Sequence, residues 1–147
     1  NFAANWEGIN VSLTHPSANG YKGTNPLSEP ESQAIANLIQ GTGFNAVINY
    51  HAMGNVIYWD TQNNQKAAES KALANAVHAL NGYSVLGSKG VGGLKDWLQQ
   101  AVGIPGITIE VGRSRYLSRN IRRSGTRIRQ SRQRWDIMWR HIDDGIK

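Results

Sequence analysis

Between Ser28 and Gly112, short apolar runs alternate with segments of helical periodicity. That alternation restricts the chain to an α/β fold with a largely parallel or mixed sheet. Ser28 and Glu31 have the Ser-x-x-Glu spacing of a capping box, and Pro30 is tolerated in a first turn, so a helix starts here. Ala34, Ile35, Leu38 and Ile39 make its apolar stripe, and Gly41 and Gly43 stop it. Phe44 to Tyr50 reads as a strand closed by His51, and Val56 to Trp59 as a short second strand. A longer helix from Gln65 to Leu80 places Leu73, Ala76, Val77 and Leu80 on one face, and Asn81-Gly82 ends it. Tyr83 to Leu86 is a third strand, Leu94 to Val102 a short helix, and Ile107 to Val111 a fourth strand. The first 27 residues, rich in Asn, Gly, Ser and Pro, read as an irregular but ordered loop.

A chain of 147 residues is long enough for one domain with its own core. It contains no apolar run long enough to span a membrane, and no basic-then-apolar leader opens it. Cysteine is absent, which excludes disulfides, thiolate metal sites and a cysteine nucleophile. The net charge of +6 hides a division. Residues 1–112 hold five lysines, no arginine and seven acids, a balance of −2. Residues 113–147 hold ten arginines, one lysine and three acids, a balance of +8. A break that sharp marks a boundary at Gly112, with a motif-bearing body before it and an arginine-rich tail after it.

In sheets of this type, active sites gather beyond the carboxyl ends of the strands. His51 and Glu110 both lie there. A histidine after an apolar strand is either a satisfied structural residue or a metal ligand, and one histidine cannot hold zinc. His15, His78 and the pair His141 and Asp144 do not complete a set by spacing. Glu110 alternates with Ile107, Ile109 and Val111, so its carboxylate faces away from their side of the strand. It is a general base or a rim residue paired with a lysine. The glycine-rich stretch Gly87 to Gly93 lacks the Gly-x-x-x-x-Gly-Lys-Ser/Thr spacing of a phosphate loop. It fits a substrate-covering loop better.

Taken together, Pro16 to Tyr21 with Gly23, Ser28 to Glu31, Tyr50-His51 and Thr108 to Gly112 resemble the zinc carboxypeptidase family. Asn5 to Gly8 and Met53 to Trp59 resemble more narrowly its bacterial branch, which cleaves γ-D-glutamyl-diamino acid bonds in cell-wall peptides. The resemblance covers residues 1–112 and implies the carboxyl-terminal part of a mixed sheet flanked by helices, with the amino-terminal half missing. It implies that His51 is one zinc ligand, with the other two, a His-x-x-Glu pair, upstream of residue 1. It implies that Glu110 is the catalytic base. Asn1-Phe2 resembles the end of an Asn-Arg-Asn-aromatic motif, which implies substrate binding at Asn1. A peptide substrate of peptidoglycan origin and a secreted or cell-wall-associated bacterial location follow as expectations. The departures are equally specific. Ala52 stands where many relatives have serine, and no tyrosine occupies the glycine-rich segment before Asp96-Trp97. The alternatives are a fragment that holds cell-wall peptide without cleaving it, and a polyanion binder acting through the tail.

The tail itself fits a shifted reading frame or an unrelated fusion. Trp135, Met138, Trp139, Ile142 and Ile146 keep helical spacing, which suits a basic amphipathic helix. No groove-reading motif accompanies the arginines, so no specific nucleic-acid partner is expected. Ten arginines in 35 residues repel one another and oppose burial. Limited trypsin digestion should therefore cut after the arginines long before it cuts at Lys22, Lys66, Lys71, Lys89 or Lys95. Equal resistance of tail and body would move the boundary away from Gly112.

Overall fold

Val47–His51 (β1), Val56–Tyr58 (β2), Ser84–Leu86 (β3) and Gly106–Glu110 (β4) form one sheet in the order β1-β4-β2-β3. The computed structural model describes residues 1–10, 15–17, 20–62, 65–88 and 90–112. The arginine-rich tail, its boundary, His141, Asp144 and Lys89 lie outside the described residues. β1 pairs parallel with β4 and β2 parallel with β3, whereas β2 runs antiparallel to β4. The sheet is therefore mixed, as the strand–helix alternation requires. Pro30–Thr42 (α1), Ala67–Asn81 (α2) and Leu94–Trp97 (α3) are the helices, and a π-helical turn, Leu98–Val102, continues α3. Trp6–Gly8 is a single 3-10 turn in the otherwise irregular amino-terminal segment.

Period-two alternation along β4 divides the core in two. Ile107 and Ile109 join Ile57 and the α2 residues Leu73, Ala74 and Val77 in one buried cluster. The second cluster holds Phe2, Ala4, the α1 residues Ala36 and Ile39, and Trp97 with Leu98. Phe2 and Trp97 stack at 5.5 Å between ring centres. Gly106 explains how closely α3 and its π turn approach β4. A Cβ there would lie 2.7 Å from Leu98 Cδ1 and 3.1 Å from Leu98 Cβ, so a larger residue would push the helix off the sheet. Each fully buried Ile or Leu side chain contributes about 1.5–3 kcal/mol.

Several expected details shift. The α1 stripe is Ser32, Ala36 and Ile39, whereas Ala34, Ile35 and Leu38 are exposed. In α2 the buried residues are Ser70, Leu73, Ala74 and Val77, while Ala76 and Leu80 face outward. Small residues allow close approach in both: α1 reaches the Phe2–Trp97 cluster through Ala36, and α2 reaches the sheet through Ala74. The Ser28–Glu31 capping box does not form. Glu29 is the N-cap, with no side-chain capping bond. Ser28 Oγ donates instead to Glu29 Oε1 at 2.8 Å, and Asn1 Oδ1 accepts from the Glu29 N–H at 3.1 Å. Helix α1 runs through Gly41 and ends at Gly43, whose φ of 71° is the left-handed conformation glycine adopts without strain. β1 begins at Val47 rather than Phe44, and Val111 follows β4 rather than ending it.

These shifts generate a direct comparison. Ile39→Ala should lower the unfolding free energy by about 2–5 kcal/mol, and Leu38→Ala should change it by no more than about 0.5 kcal/mol. Equilibrium urea unfolding of the two variants measures both. Similar losses would restore the stripe expected from periodicity.

Candidate active site

The pairing of β1 with β4 brings the two strand-end residues together. In its register His51 lies opposite Glu110, and Asn49 opposite Thr108. On the other side of β4, Tyr58 lies opposite Thr108. Laterally paired residues project to the same face, so these polar side chains share one side of the sheet. The opposite side carries Ile107 and Ile109. Thr108 Oγ1 donates to Asn49 Oδ1 at 2.8 Å, tying the two strands through their side chains.

A cavity of about 600 Å³ opens on this face. Asn1, His51 and Glu110 all line it, so the three residues singled out from the sequence meet in one place. His51 is exposed and Glu110 half-buried. The chain leaving β1 folds back over β4. Gly54 N–H donates to Gly112 O at 2.8 Å, and Val111 N–H to His51 O at 2.9 Å. A Cβ on Gly54 would lie 3.4 Å from Glu110 Cβ and 3.2 Å from Val56 Cγ1, so a side chain there would crowd the carboxylate's base. The peptide between Ala52 and Met53 in this loop is cis. Burial pushes the Tyr50 phenol up to about 12, so at neutral pH this cavity-lining hydroxyl is uncharged.

Asn1 reaches the cavity wall, but its amide is engaged elsewhere. Its Nδ2 donates to Lys22 O, to Asn25 O at 3.0 Å and to Ser28 Oγ at 3.4 Å. With Glu29 N–H on its Oδ1, the side chain binds the loop from Lys22 to the start of α1 together. His15 is exposed, and His78 Nδ1 lies 2.6 Å from Tyr83 O at the end of α2. Neither shares the cavity. Among the described residues no three His, Cys, Asp or Glu side chains cluster to hold a metal ion. His51, solvent-accessible at a strand end, fits one ligand position. The described residues do not complete a zinc site.

One feature of the wall escaped the sequence reading. Lys95 and Asp96 are 5% and 3% exposed and form an ion pair at 2.7 Å. Lys95 Nζ also donates to Asp60 O and to Ser88 O, so all its protons have acceptors. Gly90 and Gly93 wrap the partner carboxylate: a Cβ on either would lie 2.7 or 2.6 Å from Asp96 Oδ2. The glycine-rich stretch is thus moulded around a buried carboxylate at the cavity wall. Gly92 is held as well, accepting from Phe2 N–H at 2.9 Å and donating to Ala4 O at 2.6 Å. The signal was legible only as a Lys-Asp dipeptide directly after clustered glycines.

Asn1→Ala should lower the unfolding free energy by about 1–3 kcal/mol, because several part-buried partners lose their bonds at once. Urea unfolding of the variant measures it. An unchanged midpoint would remove the structural role just described.

The chain matches the zinc carboxypeptidase family over residues 1–130, a span that continues past Gly112. It is 34% identical over 113 residues to gamma-D-glutamyl-L-diamino acid endopeptidase 1 of Lysinibacillus sphaericus, covering 76% of this chain and 28% of that protein. Thrombin activatable fibrinolysis inhibitor superposes with a TM-score of 0.56 at 25% identity, over 75% of this chain and 32% of that one. Murein-tripeptide amidase MpaA from Escherichia coli O157 superposes at 0.52 and 24% identity, covering 78% and 48%, and attests the fold alone. The chain therefore spans 28% of the endopeptidase's length and under half of each of these two solved structures. With the family match running from Asn1 through both strand-end residues, the chain belongs to the zinc carboxypeptidase family.

Proposed function

We propose that this chain is the part of a bacterial cell-wall peptidase that carries the general base and one metal ligand. The observation that supports this most directly is the pairing of His51 with Glu110 at the mouth of one cavity. In the complete enzyme, zinc supplies Lewis acidity and acidifies a bound water. His51 would supply one imidazole to it, and the remaining ligands would come from polypeptide outside these 147 residues. Glu110 would accept the proton of the attacking water and pass it to the departing amine nitrogen as the peptide bond breaks. The polar row of Asn49, Thr108 and Tyr58 beside the pair offers donors and acceptors for a peptide backbone.

The printed name of the Lysinibacillus relative favours a γ-D-glutamyl-diamino acid bond as the substrate. A secreted or cell-wall-associated site of action goes with that substrate. With no three-residue metal cluster among the described residues, a second reading for the chain by itself is that it holds a cell-wall peptide without cleaving it.

Two measurements test the proposal. In a polypeptide that carries the remaining ligands, Glu110→Gln should lower kcat at least ~10²-fold with zinc content unchanged, because shape is kept and the base removed. Near-normal turnover would exclude the general-base role. Zinc added to the present chain alone should show no submicromolar one-to-one site by calorimetry, since affinity needs a preorganised ligand set. Tight binding abolished by His51→Ala would mean that the ligand set is already complete.

A further inference from the structure

The β2–β3 ladder ends where Tyr58 lies opposite Leu86. Two residues further along each chain, Asp60 O and Ser88 O accept from the same ammonium, Lys95 Nζ. The third proton of that ammonium goes to Asp96 Oδ1 at 2.7 Å. A lysine head has three donors, and here each is committed to an acceptor on a different segment. Lys95 thus continues, through its side chain, the joining of two strands whose backbones have stopped pairing. It keeps no donor for a ligand, although it borders the cavity that holds His51 and Glu110.

The segment fixed in this way walls that cavity. Ser88 lies at its start, and Gly92 and Gly93 line the cavity with it. Gly90 and Gly93 approach Asp96 Oδ2 so closely that a Cβ on either would overlap it. Further along, Gly92 O accepts from Phe2 N–H and from the Asn1 ammonium at 3.2 Å, and Gly92 N–H donates to Ala4 O. Lys95 therefore anchors the start of the wall, and residues 1–4 anchor its end. Stability alone does not call for an ion pair here, because replacing a buried pair by neutral residues of similar volume is often neutral for folding. An apolar side chain of the same length cannot hold two carbonyls and a carboxylate together.

We infer that Lys95 is a positioning residue, whose bonds to Asp60 O and Ser88 O set the glycine-rich wall of the His51–Glu110 cavity, a role separate from neutralising Asp96. This rests on the proposed function in one respect, that the cavity is where the peptide substrate binds.

Three variants of the full 147-residue chain separate the two roles. Lys95→Met should lower the urea midpoint by at least ~1 M, because it strands the Asp96 carboxylate in a buried site. Lys95→Met combined with Asp96→Asn removes both charges and should recover most of that loss. In this double variant the Gly92 N–H should nevertheless exchange its hydrogen at least ~10-fold faster, relative to Ile107 and Ile109 N–H in β4. Asp96→Asn alone keeps an acceptor for Lys95 and should hold that ratio within about threefold. Protection that returns together with the midpoint would make Lys95 a counter-ion only, which overturns the inference. Equal loss of protection in Asp96→Asn would assign the wall to the carboxylate and overturn it as well. In a polypeptide that carries the remaining ligands, the double variant should raise KM for a γ-D-glutamyl-L-lysine peptide at least ~10-fold and leave kcat within about threefold, since a wall grips ground and transition states alike. A lowered kcat with unchanged KM would contradict a positioning role. Hydrogen exchange needs neither zinc nor turnover. Failure of Glu110 as general base would leave the Lys95 result standing, and a failed exchange test would leave the role of Glu110 untouched.

Discussion

The parallel pairing of β1 with β4 joins residues 59 positions apart at the Asn49–Thr108 bond, and the rest of the domain is arranged around it. Side chains alternate along a strand, so a slip of one residue would turn Glu110 into the apolar cluster and Ile109 into the cavity. Three independent contacts oppose that slip. Thr108 Oγ1 is bonded to Asn49 Oδ1, Gly106 is fitted beneath Leu98, and Ile107 and Ile109 are packed with α2 residues. Gln99 Nε2 adds a fourth, donating to Gly106 O at 2.8 Å and to Trp59 O at 2.7 Å, which ties the start of β4 to the end of β2. The proximity of His51 and Glu110 is a product of all four. No bond between those two residues is needed to hold it.

Much of the architecture was legible because it rests on local pattern. Period-two and helical runs located four strands and the helices within a few residues, and Gly82 ends α2 where Asn81-Gly82 indicated. The α1 stripe was misplaced for a physical reason. Apolar periodicity reports every face that avoids water, and α1 has two such faces: Ala36 and Ile39 toward the Phe2–Trp97 cluster, Ile35 and Leu38 toward an open apolar groove. The capping box was misread because the competing partner for the Glu29 N–H is Asn1, far away in sequence and invisible to a local motif.

The site was legible as two strand ends at one edge of the sheet, whereas their lateral pairing was not. Adjacency depends on the strand order β1-β4-β2-β3, in which the last strand inserts between earlier ones, and no spacing rule encodes that insertion. Lys95 and Asp96 were passed over since charged residues are usually solvated. Their burial becomes affordable only through the carbonyls of Asp60 and Ser88, which arrive from other loops. The roles proposed for His51 and Glu110 rest on the family resemblance, whereas the role of Asn1 as a tie between the segment at Lys22 and α1 comes from its hydrogen bonds.

The central position of β4 has a consequence for how the domain comes into being. A ribosome releases β1, β2 and β3 before β4, yet β1 has no direct pairing with β2 or β3. Until residues 106–110 emerge, β1 has no strand pairing to the β2–β3 pair. Sheet closure is therefore a late, long-range event, of the kind that slows folding and leaves apolar edges waiting for partners. Shortening the chain ahead of Gly106 would not trim one strand from the sheet but divide it in half.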